Sequence, residues 1–313
     1  AFADDSEDAS VLIVPKILLG SRDGVCWLTQ VEESTSENFW DEPQHYRENS
    51  AITLREGLQS AEGFMSAVST AISNIENSRV KKVVIARDLV ASTPTEFDIR
   101  TALHRFATKY PTCWTYSVDG LFGASPELLI EVAGSRVTSH PLAGTTPRTG
   151  DPTTDAELAR KLLLSMKDQV EHRIVIDVIH DMLLPYCSYL DWQPEPSVIE
   201  VANVQHLGTL IEGHLSEDHP DLLDLARMLC PTPALGGHPR DEALAIISEL
   251  EGFDRKNYGG AVGWVNAQGD GTWAVAIRCA EFSADCKTAR LIAGGGIVAA
   301  SEPDAELAET QAK

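Results

Sequence analysis

Between Cys113 and His140 the chain reads CWTYSVDGLFGASPELLIEVAGSRVTSH. Short apolar runs with turn residues between them predict four compact strands, at Cys113–Val118, Leu121–Ala124, Leu128–Val132 and Arg136–His140. They lie too close together in sequence for helical crossovers, so neighbours are expected to run antiparallel. On the N-terminal side the pattern predicts strands at Val11–Leu18, Gly24–Gln30 and Lys82–Leu89, with helices over Ala61–Asn77 and Asp98–Lys109. The stretch Val31–Gln59 is polar and weakly patterned and reads as a surface excursion.

On the C-terminal side, helical periodicity runs from Asp155 to about Leu184. Strands return at Val198–Val201 and His206–Glu212, followed by helices at Asp221–Leu229 and Pro239–Leu250. Gly260–Val265, Thr272–Glu281 and Ala289–Ala293 read as strands, with a last helix from about Ser301. Helices therefore fall between clusters of strands rather than between single strands. That predicts an α+β fold of large, mostly antiparallel sheets flanked by helices, not a doubly wound parallel sheet. With no linker and no internal repeat, residues 1–313 are expected to form a single domain. The last helix has no Gly, Asn or Pro terminator, so the natural protein is expected to continue beyond Lys313.

The chain carries 47 Asp+Glu against 25 Lys+Arg among 313 residues, a net charge of −22, and is 43% hydrophobic. Such a composition is globular, and the acidity disfavours phosphate backbones and anionic lipid surfaces. Nucleic acid and membranes are accordingly not expected partners. No apolar run reaches the roughly 18–20 residues that cross a bilayer, and acidic Ala1–Ser10 lacks the plan of a signal peptide. Six scattered cysteines without a CxxC pair read as reduced thiols, which places the protein in the cytoplasm.

The phosphate-loop, GxGxxG, HExxH and GxSxG motifs are all missing. Four other segments carry chemistry. Lys81-Lys82-Val83-Val84-Ile85-Ala86-Arg87 is an apolar strand entered by two lysines, either snorkelling to water or, for one of them, desolvated enough to act as a base. Gly123-Ala124-Ser125-Pro126-Glu127 sets a glutamate before an apolar strand, as a surface turn or as a carboxyl kept protonated for general acid work. Lys167 and Glu171 share a helix face and could form a simple i,i+4 pair. Gly294-Gly295-Gly296 precedes Glu302, Glu306, Glu309 and Lys313, which fall on one helical stripe. That stripe is either a solvated acidic face or a set of carboxylates for a hard cation such as Mg²⁺ beside an anion-binding glycine backbone. Spacing alone leaves each pair of readings open.

Taken in order, these segments resemble the chorismate-utilising enzymes. The resemblance runs from about Val11 to Lys313 and adds Pro141-Leu142-Ala143-Gly144-Thr145, Lys167-Asp168-Gln169-Val170-Glu171-His172 and Gln205-His206-Leu207. It continues through Pro231-Thr232-Pro233-Ala234-Leu235-Gly236-Gly237, Tyr258-Gly259-Gly260, Ile277-Arg278-Cys279-Ala280 and Glu309-Thr310. It implies two large antiparallel sheets packed together with helices outside, and a chain trimmed at both ends relative to other members.

Within the family the residues are most similar to isochorismate synthases. Ala143 stands where common aminodeoxychorismate synthases carry a nucleophilic lysine, so an adduct there is excluded. Lys82 stands where anthranilate synthases typically have glutamine, and Val175-Ile176-Asp177-Val178-Ile179-His180 departs from their Asp-Leu-x-Arg-Asn-Asp run. Salicylate synthase is the alternative; it would keep Lys82 and Glu127, but tends to have arginine directly after the threonine, where this chain has Thr146.

The resemblance implies Lys82 as general base activating water at ring C2 and Glu127 as general acid for the departing C4 hydroxyl. It implies Mg²⁺ held by Glu171 and Glu309, with Glu306 as an outer or water-mediated ligand. Arg278 and Lys313 would take the pyruvyl carboxylate, helped by Tyr258 and the backbone of Gly294, Gly295 and Gly296. Gly144, Thr145, Ala234 and Leu235 would line the ring pocket, with His206 orienting substrate. The implied partner is chorismate alone, with no glutamine amidotransferase subunit; a monomer is the default, and the product would feed menaquinone or siderophore synthesis.

Overall fold

The computed structural model describes residues 1–2, 6, 10–22, 24–31, 45–48, 51–201 and 203–313. In chain order the elements are β1 (Ile17–Arg22), β2 (Val25–Gln30), β3 (Thr53–Glu56), α1 (Ala61–Glu76), β4 (Lys82–Ser92), α2 (Ile99–Lys109), β5 (Trp114–Val118), β6 (Leu121–Ser125), β7 (Leu128–Ala133), β8 (Arg136–His140) and β9 (Leu142–Pro147). There follow α3 (Pro152–Leu164), α4 (Met166–Leu183), β10 (Cys187–Trp192), β11 (Ser197–Glu200), β12 (Val204–Gly208), β13 (Ile211–Leu215) and α5 (Leu222–Leu229). The last are β14 (Gly237–His238), α6 (Arg240–Glu251), β15 (Ala261–Val265), β16 (Gly271–Val275), β17 (Cys279–Phe282), β18 (Thr288–Ile297) and α7 (Pro303–Ala312).

The α+β expectation holds. Among the described residues the strands form a seven-stranded sheet ordered β14-β4-β18-β17-β6-β5, with β3 also on β4, and a six-stranded sheet ordered β10-β13-β8-β7-β16-β15. A three-stranded sheet β11-β12-β9 and the hairpin β1-β2 complete them, and the pairings in all four are antiparallel. The main core draws Val83 and Ile85 from the first large sheet and Leu129, Ile130, Val137 and Ile211 from the second. Helices close it with stripes at helical spacing, Phe64, Ala67, Val68 and Ala71 on α1 and Val175, Ile176, Ile179 and Leu183 on α4. Each fully buried Ile, Leu or Phe adds roughly 1.5–3 kcal/mol, so the sheets and helices are held by the same burial.

Several boundaries differ from the sequence expectation. The strand expected at Val11–Leu18 begins at Ile17, and residues 11–16 are not strand. Within Val31–Gln59, Thr53–Glu56 pairs with β4, while positions 32–44 and 49–50 lie outside the described residues. The single helical stretch from Asp155 is two helices that meet at Ser165, which caps α4 by accepting from Asp168 N–H at 3.3 Å. His206–Glu212 splits between β12 and β13, and Thr272–Glu281 between β16 and β17, because in both places the chain passes from one sheet to another. All six cysteines are free thiols, as expected. No helix of the described residues is long and apolar enough to cross a membrane.

Candidate active site

The two large sheets meet at two adjacent crossings. The chain leaves β6 for β7 through Pro126-Glu127 and leaves β16 for β17 through Ala276-Ile277-Arg278. Because β6 pairs with β17 and β7 with β16, these crossings lie side by side. Val275 N–H donates to the Glu127 carbonyl at 3.0 Å, Ser125 Oγ–H to the Val275 carbonyl at 2.7 Å, and Ala124 N–H to the Arg278 carbonyl at 3.2 Å. Arg278 has φ 52°, in the left-handed region that non-glycine residues seldom enter. Glu127 and Arg278 are thus placed by the seam itself.

The same seam opens an edge of β18. Along β18, β4 covers one side from Thr288 to Ile297, whereas β17 covers the other only from Ala289 to Leu291. Beyond that point Gly294 and Gly296 border a cavity of about 780 Å³. A Cβ on Gly296 would come 2.0 Å from Glu171 Oε1, and one on Gly295 would come 2.8 Å from Glu306 Oε2. Only glycine lets carboxylates lie against this backbone.

Three carboxylates gather there, and each faces a lysine. Lys82 Nζ is 3.0 Å from Glu171 Oε1, Lys167 Nζ is 2.6 Å from Glu306 Oε1, and Lys313 Nζ is 2.7 Å from Glu309 Oε1. Lys82 is 0% exposed and Glu306 1%. Burial, with the neighbouring Glu309, pushes the Glu306 carboxyl up against the pull of Lys167. Burial also pushes on Glu309, but Lys313, Lys167 and the Thr145 hydroxyl outweigh it and hold that carboxyl below its ordinary value. Among the described residues, no three His, Cys, Asp or Glu side chains already enclose a metal position. The donor chemistry nevertheless fits a hard divalent cation: three carboxylates border the glycine strand, and Glu306 Oε2 is buried with no hydrogen-bond partner.

On the other wall, β9 bulges at Gly144. His206 lies opposite Thr145 and Leu207 opposite Ala143, so Gly144 is the extra residue, at φ 75°. The bulge brings the Gly144 carbonyl to 3.2 Å and Thr145 Oγ1 to 3.1 Å from His206 Nδ1. Arg278 Nη2 lies 2.9 Å from His206 Nε2. A guanidinium only donates, so Nε2 is the acceptor and Nδ1 carries the proton towards Gly144. Burial, Arg278 and Lys313 hold the imidazole pKa well below its usual range, so His206 is neutral. Lys313 reaches the facing glycine strand, donating to the Gly294 carbonyl at 2.8 Å.

Glu127 is the acid between these cations. It is 2% exposed, and its Oε1 has no hydrogen-bond partner. Burial pushes its carboxyl up to about 7, against the pull of the Leu142 N–H, Lys82, Arg278 and Lys313.

Most of the expected site residues meet at this cavity. Glu127, Gly144, Thr145, Glu171, His206, Ala234, Leu235, Tyr258, Arg278, Gly294, Gly296, Glu309 and Lys313 all line it. Lys82, Gly295 and Glu306 stand one layer behind, Lys82 and Glu306 held there by their ion pairs. The stripe expected on the last helix breaks at its first member, because Glu302 is the exposed residue that precedes α7. The simple pair Lys167–Glu171 does not form; each residue takes a partner from another element. Lys167, the partner of Glu306, was not among the expected site residues: spacing showed its face but not what that face meets.

Comparison with known proteins gives the family. The family model described as chorismate binding enzyme matches residues 5–313. A Mycobacterium tuberculosis protein named as isochorismate synthase MenF is 44% identical over 243 residues, covering 74% of this chain. Isochorismate synthase DhbC of Bacillus subtilis is 39% identical over 263 residues, covering 80% of this chain. The chain spans 65% and 66% of the length of these two relatives. The crystal structure of DhbC from Bacillus anthracis, described as a 2,3-dihydroxybenzoate-specific isochorismate synthase, superposes with a TM-score of 0.80 at 35% identity, covering 92% of this chain and 76% of that one. The chain belongs to the chorismate binding enzyme family.

Proposed function

We propose that this chain isomerises chorismate to isochorismate, water attacking ring C2 as the C4 hydroxyl leaves. The observation that carries the reading is Glu127, a carboxyl that burial keeps protonated to about pH 7 in a cavity that Arg278 and Lys313 also line. A neutral acid among cations suits protonation of a leaving hydroxyl on an anionic substrate. Isochorismate synthases as the named relatives support the same reading.

In this reading Lys82, neutral once its 3.0 Å ion pair with Glu171 opens toward the cavity, takes a proton from the attacking water, and Glu127 gives one to the departing C4 oxygen while the ring double bond shifts. Each positioned transfer is worth on the order of 10²–10⁴ in rate. Arg278 and Lys313 hold the enolpyruvyl carboxylate, the guanidinium aimed by His206, with Tyr258 and the backbone of Gly294–Gly296 beside it. Gly144, Thr145, Ala234 and Leu235 shape the ring pocket. Glu171 and Glu309, with Glu306 in an outer position, would hold Mg²⁺, which supplies positive charge for the ring carboxylate. The protein would act in the cytoplasm as a single-domain monomer without an amidotransferase subunit, since water and not ammonia is the nucleophile.

The reading is tested by incubating the protein with chorismate and Mg²⁺, without ammonia, and separating the products. Isochorismate is expected; salicylate with pyruvate would assign the second activity instead.

A further inference from the structure

A second buried ion pair stands behind the ring pocket. Glu251 ends α6 and Arg255 follows four residues later; both side chains are 1% exposed. Arg255 Nε–H donates to Glu251 Oε2 at 2.7 Å, and Nη2–H donates to Glu251 Oε1. The far side of the guanidinium reaches two backbone carbonyls on separate elements. Nη1–H donates to the Leu235 carbonyl at 2.7 Å and Nη2–H to the Val84 carbonyl at 2.8 Å. Glu251 Oε1 also accepts from Ala86 N–H at 2.7 Å. The guanidinium carbon lies 5.9 Å from the Tyr258 ring centroid and 4.5 Å from that of Phe2.

Stability alone does not account for this pair. Taking both ions out of water costs several kcal/mol each, and apolar residues of similar volume commonly do as well. What an apolar pair cannot supply is a planar fork that fixes two carbonyls at once. One of those carbonyls belongs to Val84, two residues along β4 from Lys82. The other belongs to Leu235, which lines the ring pocket next to Tyr258. Val84 N–H in turn donates to the Gly236 carbonyl at 2.9 Å, closing the same junction.

We infer that Arg255, oriented by Glu251, is a positioning residue that sets the Leu235 and Tyr258 wall of the ring pocket against the strand carrying Lys82. The inference rests on the proposed chorismate reading.

The test is steady-state turnover of chorismate by Arg255→Lys and Glu251→Gln, with Arg79→Ala, which removes a surface ion pair to Glu249 near the same helix, as control. Lysine keeps the charge, but its single nitrogen does not reproduce the planar fork. KM should rise about tenfold in Arg255→Lys and about threefold in Glu251→Gln, with kcat within about twofold, the signature of lost binding rather than lost chemistry. The control should match the unaltered protein. Calorimetric titration of chorismate into each variant on a Lys82→Ala background should move Kd by the same factors. Folded variants with unchanged KM and Kd, or with reduced kcat at unchanged KM, would overturn the inference. If Arg255→Lys does not fold, Glu251→Gln decides the matter alone. An unaltered protein that makes no isochorismate counts against the reaction, while the titration still reports on the fork.

Discussion

Lys82 Nζ stands 3.0 Å from Glu171 Oε1, with the two side chains 0% and 9% exposed. The pair ties strand β4 to helix α4, and removing one partner leaves a buried charge without compensation. Glu171→Ala should therefore lose about 3 kcal/mol of stability in urea unfolding, the usual range for breaking a buried pair. The double variant Lys82→Met/Glu171→Leu should regain most of that stability while remaining inactive. Equal stability of Glu171→Ala and the unaltered protein would remove the pair from this account.

Glu127 gives the pH dependence its sign. Its folded value is about 7 against an ordinary 4.5, so the fold favours the protonated carboxyl. The stability from this group is fully present below about pH 4.5 and is lost as pH rises through 7. Above pH 7 Glu127→Gln should thus be more stable than the unaltered protein, yet its kcat should be about 10²–10⁴ lower. The unaltered enzyme should lose kcat above pH 7. An identical stability slope in Glu127→Gln would contradict the assignment.

For the carboxylate cluster, thermal unfolding gives a readout independent of turnover. Saturating Mg²⁺ should raise Tm, by an amount equivalent to about 2.7 kcal/mol at a hundredfold excess over Kd. Glu309→Gln should abolish the shift and Glu306→Gln should reduce it. EDTA should stop turnover and added Mg²⁺ restore it. A protein with no Mg²⁺-dependent shift and full activity in EDTA would refute the metal assignment.

The imidazole of His206 is neutral because it is buried beside Arg278 and Lys313. Accordingly no limb near pH 6.5 should appear in the kcat/KM profile on its account, and His206→Leu should leave the profile's shape unchanged. Losing the acceptor for Arg278 Nη2 should raise KM for chorismate about tenfold, the cost of one hydrogen bond to a charged group. A profile limb that disappears in His206→Leu would assign the residue to proton transfer instead.

Much of this architecture is legible in the sequence where hydrophobic periodicity is uninterrupted. The four strands from Cys113 to His140 and helix α1 match their expected bounds within a residue or so. Strand β9 was hidden because Gly144 and Pro147 make Leu142–Pro147 look like a loop, although that glycine is the bulge that turns its carbonyl to His206. Ala276-Ile277-Arg278 looks as strand-like as its flanks, so the passage between sheets that aims Arg278 leaves no periodic signal. Spacing showed that Lys167 and Glu171 share a face; their partners, Glu306 and Lys82, come from α7 and β4 and needed the tertiary fold.

The proposed reaction turns on attack of water at C2 with departure of the C4 hydroxyl. Incubating the protein with chorismate and Mg²⁺ in H₂¹⁸O, without ammonia, and analysing the product by mass spectrometry tests it most directly. One ¹⁸O at the C2 hydroxyl of isochorismate is the predicted result; unlabelled isochorismate, or no isochorismate, would contradict it.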